Sequence, residues 1–324
     1  MKDHDQTQQK NQFHDSKLNL LFTNFGFTKL TEIQKKAVPI ILQKKDCLII
    51  APTGSGKTEC SVIPVFSLVK KSKKPGKIKV LYITPLRALN RDVFRRISKY
   101  AHSNDLSIEI RHGDTTQLAR KKITENPPDV LITTPETLVI LLTQMKMLDA
   151  LSELEWIIID EVHELLASER GSQLSLSIER LQINSKHTLT KIGLSATVGN
   201  FEEAGKFVVG TKRKCQIIRD ISVRKYDVEV KFVDGTISNV ADEIIEYVLE
   251  LNLDSPILLF TNTRGEAEFL ASIMKEKSDI NIELHHGSLS KEVREDTEMT
   301  LREGKRGIVV CTSSLELGLD IGSI

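Results

Sequence analysis

The sequence predicts an α/β protein with parallel β-sheets, organised as two domains. Short runs rich in Ile, Val and Leu alternate with amphipathic stretches of helical period along most of the chain. Continuous apolar strands separated by helices are typical of parallel sheets that helices cover on both faces. A length of 324 residues suits two domains, since one domain usually has ~100–200 residues. Hydrophobic residues at 40% and charged residues at 27% are the balance of a chain that can bury a full core.

Nine apolar runs predict the strands. Six belong to the first domain (46–51, 79–84, 107–113, 129–134, 156–160 and 191–197) and three to the second (255–263, 281–287 and 307–318). Right-handed crossovers place the carboxyl ends of parallel strands on one edge, where such sheets bind ligands. We expect a polar, disordered tail at 1–15, a first domain at 16–211, a linker at 212–235 and a second domain at 236–324. The linker is charged and contains DVEVKFV, which has the alternation of a strand.

Charge and cysteine content exclude several classes of protein. Lys+Arg 45 against Asp+Glu 44 gives a net charge of +1, so a basic tail is excluded as the main means of binding nucleic acid. Local clusters of Lys and Arg could still bind nucleic acid. The four cysteines are far apart and form no CxxC pair, which argues against a disulfide framework or zinc ribbon and fits a reducing cytosol. With no leader-like stretch and no apolar run of ~18 residues, we expect a soluble, cytoplasmic protein.

APTGSGKT (51–58) follows a predicted buried strand and opens a predicted helix, which is the context of a phosphate-binding loop. The backbone N–H groups of residues 53–56 (Thr53, Gly54, Ser55 and Gly56) and the helix N-terminus would surround phosphates. Lys57 supplies a point charge, and the Thr58 hydroxyl can ligate Mg²⁺. Ala51 stands where the strict pattern has glycine. The alternative is an ordinary Gly/Ser turn, which the flanking strand and helix disfavour.

DEVH (160–163) follows four apolar residues, so its carboxylates emerge at the carboxyl end of a strand, beside the phosphate loop. Asp160 would hold Mg²⁺ through water, and Glu161 would orient the attacking water and help to deprotonate it. Alone, an acidic pair at this place is usually a solvated strand end. Together with the upstream loop it indicates phosphoryl transfer.

In this order, APTGSGKT, DEVH and LSATVGN (194–200) resemble motifs I, II and III of superfamily 2 helicases. GFTKLTEIQ (26–34) resembles the adenine-reading Q motif, which implies base contacts by Gln34 and, less strongly, Phe27. Residues 160–181 and 312–324 are similar to the Lhr-type (large helicase-related) enzymes. Ski2-like helicases are a close alternative match to these segments, and DEAD-box RNA helicases match them less well. The resemblance implies two tandem RecA-like (P-loop NTPase) domains, the second incomplete. It also implies ATP and Mg²⁺ as cofactors, and movement on one strand, usually 3′ to 5′, that unwinds DNA or RNA–DNA duplexes.

Further segments resemble motifs Ia, Ib, IV and V and a short Gly-Asp motif, and imply contacts to single-stranded or duplex nucleic acid. The implied contact residues are Arg87, Gly113, Thr134, Glu136, Thr261, Arg264 and Thr312. Such backbone contacts predict binding that is salt-sensitive and independent of base sequence. Motif V adds Gly318 and Asp320 at the nucleotide, and His163, Ser195 and Thr197 are implied to couple nucleotide state to closure. A metal at His285 and His286 is disfavoured, because no Cys or acidic residue lies at ligand spacing.

Helicases of this superfamily carry a motif VI with two arginines, and none precedes Ile324. Comparable arginines contribute ~10³–10⁵ in rate. We therefore expect an N-terminal fragment that binds Mg·ATP but hydrolyses it slowly, with the missing part as a separate polypeptide if the gene is split. Two alternatives stay open: a translocase or remodeller that does not separate strands, and an inactive remnant that only binds nucleic acid.

Overall fold

The computed structural model describes residues 21–85, 87–196, 198–220, 228–251 and 253–312. The chain divides into two compact units, Met1–Ser222 and Val223–Ile324. Every paired strand in both units is parallel to its neighbours, so the predicted parallel-sheet α/β fold is confirmed. Among the helices in these ranges, none is long and apolar enough to cross a bilayer.

The first unit contains a seven-stranded sheet in the order β3-β4-β2-β5-β6-β1-β7. Its strands are β1 (Cys47–Ile50), β2 (Val80–Ile83), β3 (Ile108–Arg111), β4 (Val130–Thr133), β5 (Trp156–Ile159), β6 (Thr190–Ser195) and β7 (Gln216–Arg219). Strand β6 lies between β1 and β5, with Ile50 opposite Ser195 and Ile159 opposite Gly193. The carboxyl ends of β1, β5 and β6 are therefore neighbours at one edge.

Eight helices accompany this sheet in the described ranges. They are α1 (Glu32–Leu42), α2 (Lys57–Val69), α3 (Arg87–Ser103), α4 (Gln117–Glu125), α5 (Pro135–Leu141), α6 (Met145–Ala150), α7 (Glu169–Asn184) and α8 (Phe201–Val209). Short 3₁₀ turns follow α6 and β5. Two buried clusters divide the strand residues alternately, with Leu48 in one and Ile49 in the other. Alternation of this kind is expected when helices cover both faces of a sheet.

The structure differs from the expected linker at its first part. Strand β7 lies inside the segment 212–235 and pairs with β1 at the edge of the first sheet. Of its four residues only Ile218 is buried, so the strand has little of the apolar pattern by which buried strands are found. Residues 228–233, which cover most of the DVEVKFV segment, have no regular secondary structure, and Val230 and Phe232 are about nine-tenths exposed (90% and 91%).

The second unit contains a three-stranded sheet in the order β8-β10-β9. Its elements are α9 (Ile237–Leu251), β8 (Ile257–Phe260), α10 (Arg264–Lys277), β9 (Ile282–His285), α11 (Lys291–Arg302) and β10 (Ile308–Cys311). In the central strand, Ile308 pairs with Ile257 on one side and Ile282 on the other. All three strands were predicted from their apolar runs, and the carboxyl ends of β8 and β10 are adjacent.

Candidate nucleotide site

The loop between β1 and α2 has a backbone that requires glycine at its end. Gly54 and Gly56 have φ of 75° and 86°, in the left-handed region that other residues rarely adopt. A Cβ atom on Gly56 would lie 2.4 Å from Nε2 of Gln34. The amide of Ala51 donates to the carbonyl of Ser195 at 3.1 Å, which extends the β1–β6 pairing into the loop. The GSGK sequence thus allows a tight loop packed against its neighbours.

Lys57 and Thr58 open helix α2 at the end of this loop, and both are buried. The Lys57 ammonium donates to the carbonyl of Ala51 at 2.5 Å and to that of Pro52 at 3.1 Å. Burial lowers the pKa of Lys57, and the carboxylates of Glu161 and Asp160 oppose that change. The cation therefore lies close to both acidic residues in a poorly hydrated site, where its charge acts strongly on a bound anion.

Asp160 and Glu161 follow β5, as predicted, and both are buried. One Asp160 oxygen, Oδ1, accepts from the amide of Glu161 at 3.0 Å, and the other, Oδ2, accepts from the hydroxyl of Tyr82 at 2.6 Å. Glu161 has a φ of 45°, a costly backbone conformation for a residue other than glycine. Burial, and next the charge of Asp160, raise the pKa of Glu161 to about 7. A carboxyl group with this pKa can serve as a base at neutral pH.

Two residues of this site, Tyr82 and Arg96, were not predicted from sequence. Arg96 of α3 donates through Nη2 to Oγ1 of Thr58 at 2.5 Å, and Tyr82 of β2 bonds Asp160. Neither lies in a recognisable motif. The role of Tyr82 arises because β2 is the neighbour of β5 in the sheet, with Tyr82 opposite Ile158, and that of Arg96 because α3 lies beside α2. Local sequence carries no signal for that register.

The donor set at this site fits a magnesium ion. Thr58 and Asp160 both reach the Tyr82 hydroxyl, so a hydroxyl oxygen and a carboxylate converge there. Mg²⁺ prefers oxygen ligands and is usually held by one or two protein groups together with phosphates and water. No group of three or more His, Cys, Asp or Glu side chains with the arrangement of a metal site occurs in the described part of the chain. The arrangement is therefore one that a nucleotide's phosphates would complete.

Gln34 lies against the phosphate loop from the first turn of α1. Its Oε1 accepts from the amide of Thr31 at 3.0 Å, and its Nε2 donates to the carbonyl of Gly56 at 3.4 Å. Thr31 caps the helix and donates through Oγ1 to the carbonyl of Ser55 at 3.0 Å. Thr31 was not singled out from sequence, although the T-x-x-Q pattern of a capping box was visible. Phe27 packs edge-on against Phe22, with ring centroids 5.7 Å apart, and is half-buried.

His163 and Ser195 are brought together from two segments. Nδ1 of His163 lies 3.0 Å from Oγ of Ser195, the last residue of β6, and 3.5 Å from a carboxylate oxygen of Glu161. Burial is the largest effect on the His163 pKa and lowers it. A largely neutral imidazole therefore joins the acidic turn after β5 to the end of β6. Thr197, predicted with them, lies outside the described residues.

The predicted nucleic-acid contacts of the first unit lie in loops and at helix starts. Arg87 begins α3, and the carbonyl of Gly113 accepts from the Arg120 guanidinium at 2.5 Å. Thr134 is buried and caps α5, where its hydroxyl accepts from the amide of Thr137 at 3.4 Å. Glu136 is paired with Arg170 at 2.5 Å. That ion pair was not foreseen, and it leaves a half-exposed carboxylate beside a cation.

In the second unit, Thr261 and Thr312 follow the adjacent strands β8 and β10, as the pattern predicted. The Thr261 hydroxyl donates to the carbonyl of Thr263 at 3.1 Å, and the Thr312 amide donates to that of His285 at 3.3 Å. Arg264 opens α10 and donates to the Ser288 hydroxyl. Gly318 and Asp320 lie outside the described residues.

The two neighbouring histidines of the second unit each face a carboxylate. Nε2 of His285 lies 3.5 Å from Glu298, and Nε2 of His286 lies 3.0 Å from Glu268. Both histidines are buried at the end of β9. Each histidine therefore contacts a different acidic residue, and the two imidazoles share no carboxylate in these contacts.

Known protein families match the two parts of the chain separately. Residues 31–204 match the family described as DEAD/DEAH box helicase, and residues 239–324 match the helicase conserved C-terminal domain. The first match alone covers more than half of the sequence. The chain belongs to the DEAD/DEAH box helicase family.

Within this family the chain is similar to Lhr-type proteins. It is 36% identical to the ATP-dependent helicase Lhr-Core of Saccharolobus solfataricus, over 92% of this chain and 37% of the relative. Its structure matches that of the Mycobacterium smegmatis helicase Lhr bound to ssDNA and AMP-PNP. That match has a TM-score of 0.80 and 33% identity, and covers 95% of this chain and 42% of that one. The DEAD-box helicase Mss116, 21% identical, shares the fold with a TM-score of 0.76, over 91% of this chain and 63% of that one.

These comparisons confirm the predicted Lhr resemblance and the tandem RecA-like fold of a helicase. The helicase chain spans less than two fifths of the length of the Saccharolobus relative. Its seven-stranded and three-stranded sheets correspond to the two helicase domains of the family, with the candidate nucleotide site on the first.

Proposed function

We propose that this chain is the motor part of an ATP-dependent, Lhr-type helicase, which couples ATP hydrolysis to translocation on DNA or an RNA–DNA duplex and to its unwinding. The observation that carries the proposal is the convergence of Lys57, Thr58, Asp160 and Glu161 at the carboxyl edge of one sheet. The helicase matches over both units support it. The domain bounds that we propose extend the expected first domain, 16–211, to include β7 (Gln216–Arg219), which belongs to the first sheet, and keep the second domain at 236–324.

The loop at 51–58 would bind the ATP phosphates through its N–H groups. The Lys57 ammonium would exchange the carbonyls of Ala51 and Pro52 for phosphate oxygens. Thr58 and Asp160 would hold Mg²⁺, which supplies charge neutralisation to the phosphates when it is bound. Gln34 would read the adenine while its Nε2 contacts Gly56, so that base and phosphate recognition share one contact. Phe27 would add an apolar contact to the base.

Glu161 would act as the general base. Its pKa of about 7 lets the carboxylate accept a proton from water at neutral pH, and the residue is buried with a left-handed backbone. The charge of Lys57 favours the ionised form and so offsets part of the cost of burial. His163 and Ser195 would then sense the state of Glu161 through the 3.5 Å and 3.0 Å contacts that connect them.

Nucleic acid would bind through backbone contacts in both units, at the residues of motifs Ia, Ib, IV and V named above. The Lhr helicase of Mycobacterium smegmatis, similar over 95% of this chain, was solved with ssDNA and an ATP analogue. Hydroxyls and amides at strand ends, together with Arg87 and Arg264, suit phosphate contacts that do not depend on base sequence. The partners that we propose are single-stranded and duplex DNA and an RNA–DNA hybrid.

ATP hydrolysis and strand displacement, each measured with single-stranded DNA and with a tailed duplex, test this function. Glu161→Gln should retain nucleotide binding but reduce turnover by a factor on the order of 100 or more. Glu164→Gln is the matched control, because Glu164 is more exposed and three residues away. Equal turnover in wild type and Glu161→Gln would contradict the assignment of the base. ATP hydrolysis without strand displacement would favour the alternative of a translocase. Nucleic-acid binding without ATP hydrolysis would favour the alternative of an inactive remnant. Slow turnover by residues 1–324 stays a prediction that the same assay measures.

A further inference from the structure

Four polar side chains form a connected path that includes both candidate magnesium ligands, with a hydrogen bond at each end. Arg96 donates to Thr58 Oγ1 at 2.5 Å, the Thr58 hydroxyl reaches the Tyr82 oxygen, and Tyr82 donates to Asp160 Oδ2 at 2.6 Å. The donors run in one direction and end on a carboxylate. Charge-assisted bonds of this kind are stronger than neutral ones, and a polar chain in a buried place polarises its members.

The Tyr82 hydroxyl is the central member of this path, because it donates to Asp160 and interacts with Thr58, the two proposed metal ligands. The tyrosine is fully buried in strand β2, and its ring belongs to the large core cluster that also holds Trp156. A ring fixed in the core gives its hydroxyl little freedom to move. The hydroxyl therefore holds Asp160 at a fixed position and presents a fixed polar neighbour to Thr58, although the two ligands come from different segments.

Each ligand keeps a free coordination position in this arrangement. A hydroxyl oxygen has one donor and two lone pairs, so Thr58 can donate to Tyr82, accept from Arg96 and still offer one lone pair. Asp160 accepts one bond at each oxygen, from Tyr82 and from its neighbour's amide, and each oxygen retains acceptor capacity. The path thus orients the ligands without occupying them.

Arg96 connects the path to helix α3, whose first residue is Arg87. The guanidinium also lies 4.0 Å from Glu59 on α2, so it joins two helices beside the loop. We propose that Tyr82 and Arg96 are positioning residues for Mg·ATP, with Tyr82 aligning Thr58 and Asp160 and Arg96 tying their position to α3. The inference rests on the proposed function in one respect, since it takes Mg·ATP as the ligand.

Binding of a fluorescent ATP analogue to the full 324-residue chain, titrated with Mg²⁺ and repeated in EDTA, tests the proposal. Tyr82→Phe keeps the ring but removes the central hydroxyl. Loss of a group that orients a metal ligand typically weakens metal binding by about 10–100-fold. We expect a Mg²⁺ requirement raised about tenfold with nucleotide binding in EDTA unchanged. Tyr100→Phe is the control, because it removes a hydroxyl from another buried tyrosine of the same core, whose ring packs against Phe25.

Arg96→Lys provides a second test that keeps the charge and leaves Tyr82 in place. Lysine lacks the planar fork of donors, so we expect a smaller rise in the Mg²⁺ requirement, about threefold. An unchanged Mg²⁺ requirement in Tyr82→Phe, or equal losses with and without Mg²⁺, would overturn the inference. If Tyr82→Phe does not fold, Arg96→Lys decides the question by the same criterion. Wild-type protein that binds no nucleotide, or Lys57→Ala that binds it as well as wild type, would instead overturn the proposed function.

Discussion

Glu161 has two energetically unfavourable features in the folded protein, a buried carboxyl group and a left-handed backbone conformation. Its φ is 45°, and the side chain lies beside Asp160, with Lys57 and, more weakly, Arg96 as opposing charges. Residues held in this way persist because the surrounding structure over-determines them, and they cluster where chemistry requires a group of unusual basicity. The carboxyl group of Glu161 should therefore reduce the stability of the ligand-free protein at alkaline pH.

Glu161→Gln should stabilise the ligand-free protein near pH 8 and change its stability by less than about 1 kcal/mol near pH 5. The folded pKa of about 7 exceeds the ordinary 4.5, so the folded form holds a proton that the unfolded chain releases between these values. Stability from this group is thus lost as the pH rises through that window, by about 3 kcal/mol in total. Glutamine cannot ionise and avoids the loss.

Urea unfolding in EDTA at the two pH values measures this difference in free energy. Glu164→Gln is the control for the loss of one negative charge nearby, since Glu164 is exposed and should change the free energy of unfolding by less than about 0.5 kcal/mol. A Glu161→Gln variant that is no more stable than wild type near pH 8 would show that burial does not raise the pKa of this carboxyl.

The sequence predicted some residues of the candidate nucleotide site and missed others, and the difference has a physical reason. Lys57, Asp160 and Glu161 each follow a short buried strand, and the direction of the chain is enough to place them at the sheet edge. Tyr82 and Arg96 contribute through contacts across the sheet and between helices. Such contacts depend on which strands are neighbours and on how each helix is rotated, which no local pattern specifies.

Helix α1 connects its own cap to the phosphate loop. Thr31 accepts a hydrogen bond from the amide of Gln34 and donates one to the carbonyl of Ser55. A lost N-cap usually costs about 1 kcal/mol, whereas a lost loop contact should also loosen the residues that surround the phosphates. Stability and nucleotide affinity therefore respond separately to this one side chain.

Thr31→Ala should lower the free energy of unfolding by about 1 kcal/mol and weaken nucleotide binding several-fold. Thr116→Ala is a matched control, because Thr116 caps α4 through the amide of Ala119 and that helix lies elsewhere in the fold. We expect a similar loss of stability in Thr116→Ala with no change in affinity. Urea unfolding and titration with the fluorescent nucleotide measure the two quantities. Equal affinities in both variants would show that the Thr31–Ser55 contact does not support the loop.

The interior strands and the edge strand β3 were predictable from composition, and the other edge strand, β7, was not. The run CLII of β1 is buried along its whole length, so its composition identified it. In β7, by contrast, the flanking segment is rich in Lys and Arg and three of four strand residues are wholly or partly exposed. Hydrogen bonds to β1 hold this strand, and backbone pairing leaves little trace in side-chain composition.

The two units have unequal cores, and this should govern how the whole chain unfolds. Two extensive buried clusters cover the sheet of the first unit, whereas the main cluster of the second unit has nine buried residues among those that the structure describes. In β8 every residue is partly or largely exposed, and Phe260 retains 47% of its accessible surface. Stability grows with the apolar surface that folding removes from water. The second unit should therefore be the less stable of the two.

Urea should unfold the 324-residue chain in two transitions, with the second unit first. Hydrogen exchange measured along the urea series would assign them, because peptides that contain β10 should lose protection before those that contain β1. Mg·ATP should raise the midpoint of the later transition, since Lys57 and Asp160 belong to the first unit. At about 100 times its dissociation constant a ligand adds about 2.7 kcal/mol. Lys57→Ala should abolish that shift while keeping both transitions. Simultaneous loss of protection in β1 and β10 would contradict the expected order, and would indicate that the smaller core draws its stability from the larger one.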